Sequence, residues 1–381
     1  MIQKNNKKMD QKVSKGKSNR KGIDVLNDIR DGIVRGRWKP GEQLDTQRSL
    51  AAELGATLIT VQRALDQLRR DGFVVSMGSQ GTFVCDRPPH LANLALVFED
   101  KIMGTDENFW SLFHQAMYDV VGSGLGVNYR IRIFDDINAH IDNASYMQLL
   151  DEIKCHRLRG MIFAASPHHF DATPLMSLPD IARVVVGGKS VYSATPAIYP
   201  DRQDFIRQSV AHLAEKGRKR PALLMAGTDM RSPFDGATQE SVATFKQCAA
   251  QAGMTVEPWW IQGMGVKGLG WTTQLVHLML NDQQVKRPDS LIIADDTLVE
   301  AATAGVLAAG LAGPCDFDVV AYTNFPLITR TLVPVYRIGF DIRQLLLKSI
   351  DLIVRQSTQR PKQKASLTLL PAIHQDQYQA V

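Results

Sequence analysis

Between Thr46 and Val84 lie seven residues whose side chains or backbone suit a duplex nucleic acid. Arg48 and Arg63 carry planar guanidiniums that match a phosphate or, bidentately, the edge of guanine, and the Gln62 amide matches the edge of adenine. Thr57 and Thr60 add hydroxyls. Leu58 adds an apolar end that either meets a thymine methyl or stands idle at the surface, and Gly81, in a hairpin tip, completes the set. The chemistry these types support is non-covalent: neutralising phosphates and reading base edges. Arg48 could instead close a surface ion pair, though DNA contact is the favoured reading. Arg69 and Arg70, near a helix end, read as cations that simply suit a helix C-terminus.

Such residues are useful only if a rigid element presents them. Leu50, Ala51 and Leu54, then Val61, Ala64, Leu65 and Leu68, fall at the spacing of two helices that each bury one face. Gly55 closes the first, Thr57 caps the second, and so little chain separates them that only a tight turn fits. Gly72 ends the second helix. Phe73–Ser76 and Thr82–Val84 then flank a tip containing Gly78 and Gly81, which predicts a hairpin. Upstream, Ile23, Leu26, Ile29, Ile33 and Val34 form a helical stripe with Asp24, Asp28 and Arg30 facing away, and Lys39-Pro40-Gly41 breaks that helix.

The run Pro40-Gly41, Leu44, Arg48, Leu50-Ala51, Leu54-Gly55, Thr60-Val61, Ala64-Leu65, Leu68, Gly72 and Gly81-Thr82-Phe83-Val84 resembles the winged helix-turn-helix of the GntR family of bacterial regulators, over about sixty residues with unbroken spacing. The resemblance implies that the second helix of the motif enters the major groove. Arg48 and Thr60 match the family pattern. Leu58, Gln62 and Met77 stand where the family usually has basic residues, which implies an operator unlike the family's common one.

Charge supports the same division. Up to His90 there are 17 Lys and Arg against 10 Asp and Glu, whereas the remainder has 27 against 29, so the net charge of +5 resides in the N-terminal quarter. A cationic module on a near-neutral body suits a polyanion partner. Residues 1–21, rich in lysine and nearly devoid of apolar residues, are expected to be a disordered tail. Residues 22–86 form the DNA-binding domain, and 87–92, with Pro88-Pro89, a stiff linker.

From 93 to 381 the pattern becomes alternating β and α segments: strands at NLALVF (93), RIRIF (130), RGMIFAA (159), ARVVVG (182), PALLMA (221), SLIIA (290) and FDVVAY (317), with helices over 108–121, 144–154, 205–216, 238–252 and 298–311. This predicts an α/β body of two lobes with parallel sheets. Asn108-Phe109-Trp110, Gly217–Ala222, Pro288–Leu291 and Ala294-Asp295-Asp296 resemble the LacI/GalR-type effector domain, related to periplasmic sugar-binding proteins. That resemblance implies a ligand between the lobes, contacted by Phe109, Trp110, Trp271 and Asp295, with Thr323 and Asn324 after the last of these strands. The resemblance also implies an arginine early in the helix from Thr238, where Ser241 stands instead; Arg202 or Arg231 could substitute for it. Phe109 and Trp110 could also be plain core or interface aromatics, and Asp296 reads as a helix N-cap.

Other chemistries find no support. Gly263-Met264-Gly265-Val266-Lys267-Gly268 spells a dinucleotide-type glycine motif but comes late, and Asp289 precedes a strand rather than ending one; a flexible loop is the better reading of these glycines and Gly270. His168-His169 with Asp171 makes a poor metal site, and Cys85, Cys155, Cys248 and Cys315 are scattered. No cofactor is expected, no apolar run would span a bilayer, and the chain reads as cytoplasmic. The sequence thus predicts a homodimeric transcription regulator, a repressor of double-stranded operator DNA controlled by a carbohydrate or related metabolite. A small-molecule sensor with lost or altered DNA binding is the alternative, and an enzyme a remote third.

Overall fold

The computed structural model describes residues 21–98, 129–137, 143–164, 174–178, 181–186, 195–227, 236–265, 270–311, 317–358 and 367–377. They fall into two compact units, one reaching Asn93 and including Asp151–Arg159, the other comprising Leu94–Leu150 and the chain from Gly160.

The first unit is a winged helix-turn-helix. Helices α1 (Gly22–Val34), α2 (Gln47–Leu54) and α3 (Leu58–Arg70) precede an antiparallel hairpin of β1 (Val74–Ser76) and β2 (Thr82–Val84), in register Val74 to Val84. Leu50 and Ala51 from α2 meet Val61, Ala64, Leu65 and Leu68 from α3 over Val25, Leu26, Ile29 and Ile33 from α1, a single apolar cluster closed by Phe73 and Trp38. Gly55 ends α2 at φ +61°, a left-handed position that suits glycine. The α1 stripe differs from expectation at two places. Ile23 is exposed while Val25 is fully buried. Arg30, expected to face out, is buried, with its guanidinium 3.6 Å from Asp71 at the C-cap of α3 and over the Phe73 ring. A carboxylate inside makes that burial tolerable, because a buried charge needs a partner. Asp71 takes a second guanidinium from Arg157, also at 3.6 Å.

The stretch expected as a stiff linker is folded. Pro88 and Pro89 are buried, Pro89–Ala92 forms a one-turn helix (α4), and the His90 ring stacks on Phe73 at 5.9 Å. Burial pushes the His90 pKa down to about 4, assisted by His156 and Arg159.

The second unit contains two six-stranded sheets with helices packed on them. The first uses β3 (Asn93–Val97), β4 (Arg130–Phe134), β5 (Gly160–Phe163), β6 (Ala182–Val186), β7 (Ala197–Pro200) and a late β13, in the order β13-β7-β6-β5-β3-β4. Along the chain, α5 (Ala144–Lys154) and α6 (Pro174–Ser177) fall among its strands. After β7 come α7 (Arg202–Glu215), β8 (Pro221–Gly227), α8 (Gly236–Gln251), β9 (Ile261–Gly265), α9 (Thr272–Leu280), β10 (Ser290–Ile293), α10 (Val299–Ala308), β11 (Asp318–Phe325), β12 (Tyr336–Asp341) and α11 (Ile342–Thr358). Strand β13 (Leu367–Leu370) then returns to the first sheet, and β14 (Ile373–His374) closes the second, ordered β14-β12-β11-β10-β8-β9. The second sheet's pairs are parallel except β12 with β14. Strands such as β5 and β10 are buried along their whole length, as covered parallel sheets require.

The glycine loop is the main correction. Gly263 and Gly265 lie in β9, paired to Met225 and Gly227 of β8, rather than in a flexible loop; Gly268 lies outside the described residues. Backbone pairing needs no side chain, and the fully buried Trp260 anchors the strand's entry. The expected helix over 108–121 and the pair His168-His169 also lie outside the described residues. Cys85, Cys155 and Cys248 form no disulfide among the described residues, and no described helix is long and apolar enough to cross a membrane.

Candidate nucleic-acid interface and ligand site

Helix α3 is presented by its own cap. The Thr57 hydroxyl oxygen accepts from the Thr60 backbone N–H at 3.2 Å, and the two hydroxyls lie 2.9 Å apart, so both threonines hold the first turn in shape. Leu58 and Ile59 then project from that turn, 48% and 67% exposed. One turn on, Arg63 is exposed, as is Arg48 on α2, and neither has an ion-pair partner among the described residues. Gln62 is half-buried and engaged at both ends: its carbonyl oxygen accepts from Gln47 Nε2 at 2.5 Å and its amide donates to Asp66 at 3.1 Å. Reading adenine would require it to leave these partners.

Arg69 pairs with Asp66 at 3.0 Å, in keeping with a local role. In the hairpin, Gly81 (φ +113°) lies so close to Gln43 that a Cβ there would stand 2.5 Å from its amide nitrogen, which donates to the Gln80 carbonyl at 2.7 Å. Gly81 thus seats the wing against the chain before α2. Arg37 braces the unit from outside with a bidentate contact to Glu53 and a third bond to Asp45.

In the second unit the chain just after β10 meets the C-terminal half of β11. Asp295 caps a short turn, accepting from Thr297 N at 3.1 Å and from its hydroxyl at 2.6 Å. Asp296, expected as the cap, is instead buried and accepts from Asn324 Nδ2 at 2.7 Å. Burial and the neighbouring Asp295 charge push Asp296 up to about 6, against the opposing bond from Asn324 and the charge of Arg202. The Arg202 guanidinium, at the start of α7, lies 5.9 Å above the Tyr322 ring. Burial works against its charge, yet Tyr322, Asp295, Tyr199 and Asp296 together raise its pKa. Asn324 is 1% exposed, and its Oδ1 is buried with no hydrogen-bond partner among the described residues.

Sequence reasoning named Arg202, Asp295 and Asn324 but assigned Asp296 to a cap and overlooked Tyr322. Strand alternation separates Thr323 from Asn324: Thr323 faces the other side of the sheet, where Arg337 donates to its hydroxyl at 3.4 Å. Trp271 stands 68% exposed at the start of α9. Ser241 is buried and accepts from Gln203 at 3.4 Å. Phe109, Trp110 and Arg231 lie outside the described residues.

Comparison with known proteins matches residues 23–84 to the bacterial regulatory proteins of the gntR family and residues 210–375 to a periplasmic binding protein-like domain. The arabinose metabolism transcriptional repressor of Geobacillus stearothermophilus is 21% identical over 90% of this chain and 93% of its own. The mannosyl-D-glycerate transport/metabolism system repressor of Escherichia coli is 38% identical over 16% of this chain and 25% of its own. Among solved structures, a LacI family transcriptional regulator from Lactobacillus casei with bound glucose matches 74% of this chain and 98% of its own with a TM-score of 0.52 at 16% identity. A transcription regulator like protein from Staphylococcus haemolyticus gives 0.53 at 14% identity, over 74% and 96% of the two chains. These likenesses agree with the two-sheet α/β fold. The chain therefore joins a GntR-family helix-turn-helix domain, over residues 23–84, to a periplasmic binding protein-like domain matched over residues 210–375.

Proposed function

We propose that this protein is a sequence-specific DNA-binding transcription regulator, a repressor whose operator affinity is set by a small hydroxyl-rich effector, a sugar or related metabolite, bound at the cluster of Arg202, Asp295, Asp296 and Asn324. The observation that carries the reading is a pair of features on one chain: exposed Arg48 and Arg63 on the helix-turn-helix, and a buried polar cluster, with Arg48, Arg63 and Asn324 Oδ1 all lacking a partner among the described residues. A carboxylate, an amide and a guanidinium make a set that the hydroxyl groups of a ligand can satisfy. Similarity along most of the chain to the arabinose metabolism transcriptional repressor of Geobacillus stearothermophilus supports a carbohydrate.

Phe109, Trp110, Arg231, Trp271 and Thr323 remain candidate contacts of that ligand. The working form is a cytoplasmic homodimer, in which two copies of the domain at 22–86 meet two half-sites about one helical turn apart. Effector binding changes operator affinity only in so far as the ligand prefers one state of the dimer. The test is a thermal-shift screen of pentoses, hexoses and their phosphates on the full chain, followed by operator titration with and without the compound that stabilises it. A rise in melting temperature together with a change in operator affinity is expected. Unchanged affinity at saturating effector refutes the coupling.

The engaged Gln62 and the apolar Leu58 and Met77 favour altered over lost DNA reading. Binding to random duplex that falls steeply with salt separates the two, since a dead module has no such dependence.

A further inference from the structure

We propose that Leu58 and Ile59 read thymine C5-methyl groups, so that this regulator selects its operator by apolar contact at the first turn of α3. The inference rests on the DNA-binding reading above and names what the first turn of α3 recognises.

Two large aliphatic side chains side by side on a polar helix, 48% and 67% exposed among the described residues, are a cost in water unless something covers them. Their surroundings say what that partner is. Arg63, one turn along α3 from Ile59, and Arg48 on the preceding helix are both exposed with no ion-pair partner among the described residues, and the N-terminal quarter carries the chain's net positive charge. A partner that covers aliphatic groups on a module that also exposes guanidiniums and carries the net positive charge is expected to be polyanionic with an apolar feature of its own. Duplex DNA offers that combination at thymine, whose C5-methyl is the major groove's apolar contact between two phosphate walls.

The polar candidates on the same turn are already engaged. The Thr57 and Thr60 hydroxyls face each other at 2.9 Å, and Gln62 is bonded at both ends. The side chains free to approach a base without breaking a bond are Leu58 and Ile59.

The experiment starts from duplexes enriched by the full-length protein from a randomised pool. Each thymine of the enriched site is replaced by deoxyuridine, which removes only the methyl, and each cytosine by 5-methylcytosine, which adds one. One or two thymines per half-site should lose about fourfold in affinity on demethylation, the factor expected for one buried carbon group. Leu58→Ala or Ile59→Ala should bind the methylated and unmethylated duplexes alike. Both positions are exposed, so folding is not at stake, and the wild-type comparison stands without either variant.

A site insensitive to every thymine-to-uracil change overturns the methyl contact while leaving the regulator intact. Failure to enrich any sequence overturns both. If Leu58→Ala leaves the methyl response unchanged but lowers the protein's mass in solution, the patch is an interface between protein copies, and the proposal is wrong.

Discussion

At Arg48 the outcome turns on whether an exposed guanidinium has a protein partner, and among the described residues it has none. Arg48→Ala should therefore weaken operator binding by about 1–3 kcal/mol with no change in melting temperature; equal affinity in a titration would remove this residue from the interface. Leu58→Arg should move the preferred operator toward guanine, read as a changed consensus after selection from random duplexes. Asp296 gives a pH prediction. Its carboxyl is raised from 3.8 to about 6 in the fold. Between those values the folded chain keeps a proton that the unfolded chain has lost. The stability contributed by this group is full below about pH 4 and is lost as pH rises to about 6. Asp296→Asn, which keeps the acceptor for Asn324, should flatten that decline, and melting curves from pH 4 to 7 that run parallel in the two proteins would contradict the assignment. A ligand hydroxyl that donates to the Asp296 carboxylate should also bind more weakly as pH falls through about 6.

Glycines decide two elements, for different reasons. At Gly55 a Cβ would meet nothing within 4 Å, so Gly55→Ala costs only the left-handed backbone of the turn between α2 and α3, about 1–2 kcal/mol, visible as a lowered melting temperature. Gly339 in β12 is tighter: a Cβ there would stand 1.7 Å from the Thr323 carbonyl oxygen, an atom of the paired strand β11 that cannot swing away. Gly339→Ala should part β11 from β12 next to Asn324 and cost more than about 4 kcal/mol, so that cooperative unfolding and effector binding are lost together. Retained ligand binding in that variant would show that the site does not depend on this register. The turn glycine follows from its place after an amphipathic helix. The strand glycine gives no comparable sign, because its constraint comes from a chain segment beside it only in the folded sheet.

For the molecule as a whole the separation of charge predicts how it meets DNA. If each of two modules neutralises at least two phosphates, through Arg48 and Arg63, log affinity should fall with log salt with a slope steeper than about −3.5. Filter binding between about 50 and 200 mM salt measures that slope, and a slope near zero would exclude phosphate-driven binding. The second unit contributes the opposite kind of surface, a small buried polar cluster set among strands that are otherwise apolar. The proposed regulator uses both, one to hold a polyanion and one to register a small metabolite.

Much of this was legible in the sequence where the determining forces are local. The helix-turn-helix could be read because caps, turn glycines and the 3.6-residue apolar period act within a few residues: Thr57 caps α3, Gly55 turns, and Leu50, Val61, Leu65 and Leu68 are buried. The α/β alternation was legible for the same reason, in strands such as β5 and β10 whose apolar runs mark two covered faces. Long-range pairing was not. Arg30 appeared as a surface cation because nothing near it in sequence announces Asp71 across the helices. Gly263 and Gly265 appeared as a loop because the β8 backbone that makes them a strand lies far back in the chain. The exchange of roles between Asp295 and Asp296 was settled by Asn324, 28 residues on, and only the folded sheet brings that amide within 2.7 Å. Sequence alone determined that this chain has a helix-turn-helix and a parallel-sheet body, because local propensity and periodicity suffice for elements. Which polar atoms stay unpaired inside it, and so what the protein is built to receive, was decided by tertiary structure, where desolvation and geometry act between residues distant along the chain.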